Sequence, residues 1–261
     1  MEAHTQRVRD LLLACLLLAS GYNAMAQGAA GTAGGQEPRF LVDIPTAGML
    51  GKGTFALDVD FYQEGGVLFG ISAGVLDRLS SGISYGGSRL IGAQSPVMNE
   101  IPAINVKVRV VEESMVFPAI AIGFDSQGRD GYLREQDRYL IKSPGFYAVA
   151  SKNYLLLGFF SIHGGVNYSL ERGDDDRGVN FFAGAEKTLG PILSIVAEYN
   201  LGLNDNSGGA IGKGRGYVNT GLKVSLGNGL TLGVCLKDLI KNGRDITVAN
   251  RTVRLEYART F

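Results

Sequence analysis

A period of two runs through most of this chain, and it restricts the possible folds more than any other feature. From Thr54 to Phe261 alternation of apolar and polar residues takes over in segment after segment, and no stretch carries apolar residues at helical spacing long enough to specify a helix. Phe55, Leu57, Val59 and Phe61 alternate with Ala56, Asp58, Asp60 and Tyr62. Ile104, Val106, Val108 and Val110 alternate with Asn105, Lys107 and Arg109, and Val218, Thr220, Leu222, Val224 and Leu226 with Tyr217, Asn219, Gly221, Lys223 and Ser225. Each segment therefore has one oily face and one face of charge, amide and glycine. Twelve segments can be counted, at 53–62, 66–76, 79–89, 103–112, 115–125, 145–153, 158–169, 179–188, 191–200, 217–226, 230–238 and 250–261, each 9 to 12 residues long. Strands of soluble sheets run to about 5 or 6 residues, whereas a tilted strand crossing a bilayer needs about 9 to 11.

The connections alternate as well. Short links (Asp77-Arg78, Glu113-Ser114, Leu155 to Leu157, Leu189-Gly190, Gly227 to Gly229) separate long ones at 90–102, 126–144, 170–178, 201–216 and 239–249. Outer-membrane barrels have this asymmetry of short periplasmic turns and longer outside loops, and an even strand number returns both ends to the periplasm. The link Gln63 to Gly65 is the exception, being short where a long one is expected. Alternation alone also suits a soluble sandwich. The polar face decides for a barrel, because Lys107, Arg109, Lys223, Arg254 and Glu256 all fall on it, as a wet lumen requires. In hydrocarbon every backbone N–H and C=O must be paired internally, so such strands span only as a closed cylinder. The expectation is an all-β fold, an antiparallel transmembrane β-barrel of about 12 strands, with outer-membrane lipid as its solvent.

The first 26 residues have the arrangement of a cleavable signal peptide. Arg7 and Arg9 precede an apolar run from Leu11 to Ser20, and Ala24-Met25-Ala26 supplies a small-x-small cleavage site. A lipoprotein box at Leu12 to Cys15 is the rival reading. Residues 27–39 are rich in glycine and small residues and are expected to be a flexible leader, with the barrel occupying 40–261. Export with the signal removed leaves Cys235 as the one cysteine, so no internal disulfide is expected. The 25 Lys plus Arg balance 25 Asp plus Glu, which argues against a nucleic-acid-binding surface. The last strand ends in Phe261, with Tyr257, Leu255 and Val253 on the same alternating row and Arg259 as the exception. A terminal Phe on an apolar last strand points to the outer-membrane assembly machinery as a partner.

Several segments also carry a likeness. Asp43-Ile44-Pro45-Thr46-Ala47-Gly48, Gly65 to Gly70, Ser84 to Gly87, Pro118 to Asp125, Tyr147 to Lys152, Phe182 to Glu186 and Ala197 to Tyr199 resemble YjbH-like outer-membrane proteins, from about residue 40 to the C-terminus. The resemblance implies an outer-membrane barrel associated with exopolysaccharide export, and polysaccharide-export proteins as partners.

Candidate site residues are the charges assigned to the lumen. Lys152, Glu186 and Glu198, in the sixth, eighth and ninth segments, would form a charged cluster across the lumen if all three face inward, with Lys107, Arg109 and Lys223 as further lumen charges. Buried ions need such partners, and a ring of them would either select solutes by charge or fill the barrel as a structural plug. Gly70-x-Ser72-x-Gly74 and Gly82-x-Ser84-x-Gly86 match a hydrolase nucleophile pattern, but both lie within strands where that pattern needs a strand-to-helix elbow. His163 is expected to face the lumen as a hydrogen-bonding residue. The Gly208 to Gly216 run lacks the positions of a phosphate loop, and Asp174-Asp175-Asp176 reads as a solvated loop tip, with cation binding as its rival. The 126–144 loop carries the most charge and is the longest, and if any loop folds back or touches a ligand it is this one. Tyr62, Tyr85, Tyr147, Tyr168, Tyr199 and Tyr257 are assigned to an aromatic girdle. No catalytic residue, metal site or cofactor is expected. The functional expectation is a non-catalytic envelope component, with exopolysaccharide export, a small solute pore and a soluble carbohydrate-binding β protein as the readings in play.

Overall fold

The computed structural model describes residues 30–32, 35–244 and 246–261. The expected signal peptide, 1–26, lies outside them. The wall is built from twelve antiparallel strands: β1 (Thr54–Tyr62), β2 (Gly66–Leu76), β3 (Leu79–Ser88), β4 (Ala103–Val111), β5 (Ala119–Asp125), β6 (Gly145–Leu155), β7 (Phe159–Tyr168), β8 (Asn180–Leu189), β9 (Leu193–Asn200), β10 (Tyr217–Gly227), β11 (Leu230–Lys237) and β12 (Asn250–Thr260). Each strand pairs with its neighbour in sequence, and β1 pairs with β12 over Thr54 to Phe61 against Thr260 to Val253, which closes the cylinder. Closure leaves no free edge. All twelve expected strands are present. The fifth begins at Ala119 instead of 115, because 112–118 form the turn that precedes it.

Burial in this wall is inverted relative to a soluble protein. Outward-facing Ile83, Phe146 and Phe181 are 57, 58 and 50 % exposed, while inward-facing Glu186, Glu198 and Lys223 are 0, 3 and 4 % exposed. In β8 the strict alternation Asn180, Phe182, Gly184, Glu186, Thr188 points in and Phe181, Ala183, Ala185, Lys187, Leu189 points out. The polar stripe is the buried one. Tyr62 and Tyr147 face inward and are buried, so neither belongs to a girdle; an even offset from their lumen-facing neighbours sets that parity.

Residues 37–50 do not form wall. They enter the lumen as a re-entrant hairpin, reversing through a bridge between Phe40 and Pro45, with the Leu41 N–H bonded to the Ile44 carbonyl and the Thr46 N–H to that of Arg39. Both limbs lie on the short-turn side. The chain arrives past the β8–β9 turn, where the Thr32 N–H reaches the Gly190 carbonyl, and leaves past the end of β2, where the Gly53 N–H reaches Gly74. The leader expected at 27–39 therefore ends in bonded structure at Glu37 to Arg39, and the first part of the region read as barrel, 40–53, is its filling. Leu41, Val42, Ile44 and Ala47 form an apolar cluster with Ala119, Ala121, Tyr147, Val149, Phe182 and Val196 of the wall. Wall valines and alanines that would be misplaced in a watery pore thus have a partner.

At the long-loop end, the 126–144 loop folds back as expected. It forms its own two-stranded sheet, Arg129–Leu133 with Arg138–Ile141.

Candidate functional site

The hairpin and the wall charges around it form the site. At the tip, the backbone N–H groups of Val42, Asp43 and Ile44 all donate to the Glu198 carboxylate, at 2.9, 2.9 and 3.1 Å. Asn219 adds a fourth donor at 2.8 Å. Glu198 sits on β9 at an inward position, so alternation places it and the hairpin's reversal supplies the donors. Three successive amides converging on one carboxylate are a strong arrangement, because bonds to an ionised acceptor are worth roughly twice neutral ones.

The wall cations take the hairpin's carbonyls. Lys107 Nζ donates to the carbonyls of Arg39, Thr46 and Gly48 at 3.3, 3.0 and 3.1 Å, which uses all three of its protons. Lys223 reaches the Phe40 carbonyl at 2.8 Å, and Arg254 reaches that of Val42 at 2.8 Å while pairing with Asp60. Arg109 binds the Ala47 carbonyl at 2.8 Å and the carboxylate of Glu37. The Phe40 ring lies among three cations, with Lys107 Nζ at 5.4 Å, the Arg129 guanidinium at 4.8 Å and that of Arg254 at 6.0 Å from its centroid.

Arg39 answers the acids. Its fork grips Asp58 at 3.0 and 2.5 Å. Asp58 lies directly across from Glu256 in the β1–β12 register, and two inward carboxylates so placed repel unless a cation sits with them. Asp43 at the tip pairs with Lys237 at 2.8 Å, and the same ammonium holds Asp130 of the folded loop at 3.1 Å.

Of the six expected lumen charges, Lys107, Arg109, Lys223, Glu186 and Glu198 face inward, and all but Glu186 have hairpin partners among the bonds above. None of the bonds above joins two of these side chains. Lys152 is a correction: it pairs across strands with outward-facing Ile162, so its parity is outward, and its ammonium lies against Glu113 at 3.5 Å and the carbonyls of the 114–115 turn. The partners that the sequence reading assigned to the lumen charges were one another; the actual partner is main chain, which alternation does not reveal.

His163 faces the lumen, as expected, and its Nδ1 bonds Ser151 Oγ at 2.8 Å. Ser151 accepts the Ala47 N–H at 2.8 Å, so this pair also holds the hairpin. Ser84 of the nucleophile-like pattern bonds Gln127. The two serines of that pattern and the one described histidine are not brought together. Ser151 and His163 border a cavity of about 160 Å³ beside Glu37, Arg109 and Asn153.

The loop end is tied by ions. Arg138, fully buried, binds Asp174 at 2.5 Å and Asp205 at 2.6 Å, and Lys142 binds Asp174 at 2.7 Å. Burial works to raise the Asp174 carboxyl, but the Lys142 hydrogen bond and the charges of Lys142 and Arg138 carry it below its ordinary range. The aspartates at 174 and 176 are therefore buried structural groups, and only Asp175 is a solvated tip. Burial pushes the nearby Tyr139 phenol up to about 12.

No protein-family model matches the chain, and no curated protein matches it in sequence. Among solved structures, the KdgM porin aligns with a TM-score of 0.48 at 11 % identity, covering 80 % of this chain and 99 % of that one. The NanC porin gives 0.44 at 8 %, over 79 % and 99 %. The translocator domain of the autotransporter NalP from Neisseria meningitidis gives 0.39 at 14 %, over 80 % and 86 %. The barrel rests on its own pairing register.

Proposed function

We propose that this chain is a non-catalytic outer-membrane transport barrel, closed at rest by its own hairpin and open when that hairpin withdraws toward the short-turn side. The observation that carries this is the seating of residues 37–50 in the lumen through Glu198, Lys107, Arg109, Lys223 and Arg254. The exposed apolar outer face supports a lipid setting. Delivery by the 1–26 signal and assembly through the strand ending in Phe261 belong to the same reading.

The resemblance to YjbH-like proteins supports exopolysaccharide as the cargo, with export proteins as partners; a small solute is the competing cargo. Planar-bilayer recording tests the gate. The full barrel is expected to be silent for most of the record, and a barrel lacking residues 37–50 to conduct steadily. A steadily conducting full barrel, or a silent deleted one that still shows heat-shifted gel mobility, would remove the proposal. Passage of labelled polysaccharide or small sugars through liposomes holding the deleted barrel separates the two cargoes.

A further inference from the structure

The short turns divide the rim into two sectors. The β2–β3 and β10–β11 turns present Asp77, Arg78 and Asn228 at their tips, with exposed Leu76 and Leu226 only at the flanking strand ends. Three consecutive hairpins between them, β4–β5, β6–β7 and β8–β9, present apolar tips instead: Val116 and Phe117 are 80 and 65 % exposed, Leu157 is 95 % exposed, and Met115, Leu156 and Ile192 are also exposed. Turn tips normally use Gly, Asn, Asp, Ser or Pro. Leu157 also holds a left-handed backbone at φ 46, which is costly for a side chain of this kind.

Several polar groups of the first two tips are bonded within the protein. The Ser114 N–H bonds the Phe117 carbonyl at 3.0 Å and the Leu156 N–H that of Gly158 at 2.7 Å, while the Phe117 N–H bonds Ser114 Oγ at 3.0 Å. Two lysines on the outward face bond four more tip carbonyls. Lys152 donates to the Ser114 and Met115 carbonyls, and Lys187, opposite outward Ile195, donates to those of Leu156 and Leu157 at 2.8 and 2.7 Å. Water would satisfy such carbonyls without help. Lipid does not, and there every backbone polar group needs a protein partner.

We infer that the apolar tips of the β4–β5, β6–β7 and β8–β9 turns form a lipid-inserted rim, its occupant the leaflet bordering the short-turn side. The inference rests on the outward face being lipid-facing. It makes the apolar band taller on the β4–β9 side, with Lys152 and Lys187 held on the tip carbonyls. A taller band on one side tilts the cylinder in the bilayer.

The chain has no tryptophan, so single-Trp proteins report one site each. Val116→Trp, Leu157→Trp, Asn228→Trp and Leu222→Trp are reconstituted in liposomes with brominated lipids. Leu222→Trp, mid-wall and outward, reports the barrel reading itself. Val116→Trp and Leu157→Trp are expected to be quenched to an extent comparable with Leu222→Trp, and Asn228→Trp to be spared by lipid and quenched by aqueous acrylamide. Quenching at Leu222 with acrylamide-accessible Val116 and Leu157 overturns the rim alone. A Leu222→Trp protein that brominated lipid fails to quench overturns rim and membrane reading together.

Discussion

Replacing Glu198 by alanine removes the acceptor of three hairpin amides. If the tip stayed dry, each orphaned N–H would cost about 1–3 kcal/mol, so roughly 3 kcal/mol is the low end of the loss. The apolar anchoring survives: burying Leu41, Val42 and Ile44 contributes roughly 4.5 to 9 kcal/mol as an upper estimate. The Ala variant is therefore expected to remain folded with a weakened closure, and 3 kcal/mol corresponds to about a hundredfold shift from seated to withdrawn hairpin. Glu198→Gln keeps an acceptor oxygen and loses the charge, so about a tenfold shift is expected, given that charge-assisted bonds are about twice neutral ones. The assay is the fraction of time open in planar bilayers, with heat-shifted gel mobility showing that the wall has closed. An alanine variant as silent as the unaltered barrel, with normal mobility, would refute the claim that Glu198 holds the hairpin.

Arg39→Ala takes from Asp58 its hydrogen-bonded cation while Asp58 still faces Glu256, and breaking a buried pair in this way costs about 3–5 kcal/mol; more frequent openings and a lower temperature for the gel shift are expected, with Arg39→Lys between the two. Equal behaviour of all three proteins would show that the fork has no part in closure. At the loop end, the Asp174 carboxyl lies below its ordinary value of 3.8, so its stabilisation is complete above that value and is lost as pH falls through the native one. Protease cleavage within 126–144 should therefore rise only in strong acid, and release that began well above the carboxylate range would assign the loop's hold to another group.

The wall was legible because its physics is local. A period of two, segment length and the alternation of link lengths each report on neighbours in sequence, and together they place β1 to β12 and the inward parity of Lys107, Arg109, Lys223, Glu186, Glu198 and His163. Lys152 shows where that reading thins: near a strand end the charge suggested a lumen position, while the parity of Phe146, Ala148 and Ala150 on the same strand already pointed outward. The hairpin was not legible. Its composition up to residue 39 is that of a linker, and many of its bonds are to strands far away in sequence, such as those of Lys107, 61 residues from Thr46, and Glu198, 156 residues from Val42. One signal was present, since Leu41, Val42 and Ile44 form an apolar run before the first strand with no alternation to place them in the wall. The inward Val149, Phe182 and Val196 were its complement.

Because both limbs of the luminal segment leave by the same rim, neither has to be threaded through the cylinder. The twelve strands can zip shut around an empty bore, and the segment can fold into it afterwards as the final step of biogenesis. The same topology makes the segment an exchangeable cassette, bounded by residues that already meet at one end of the wall.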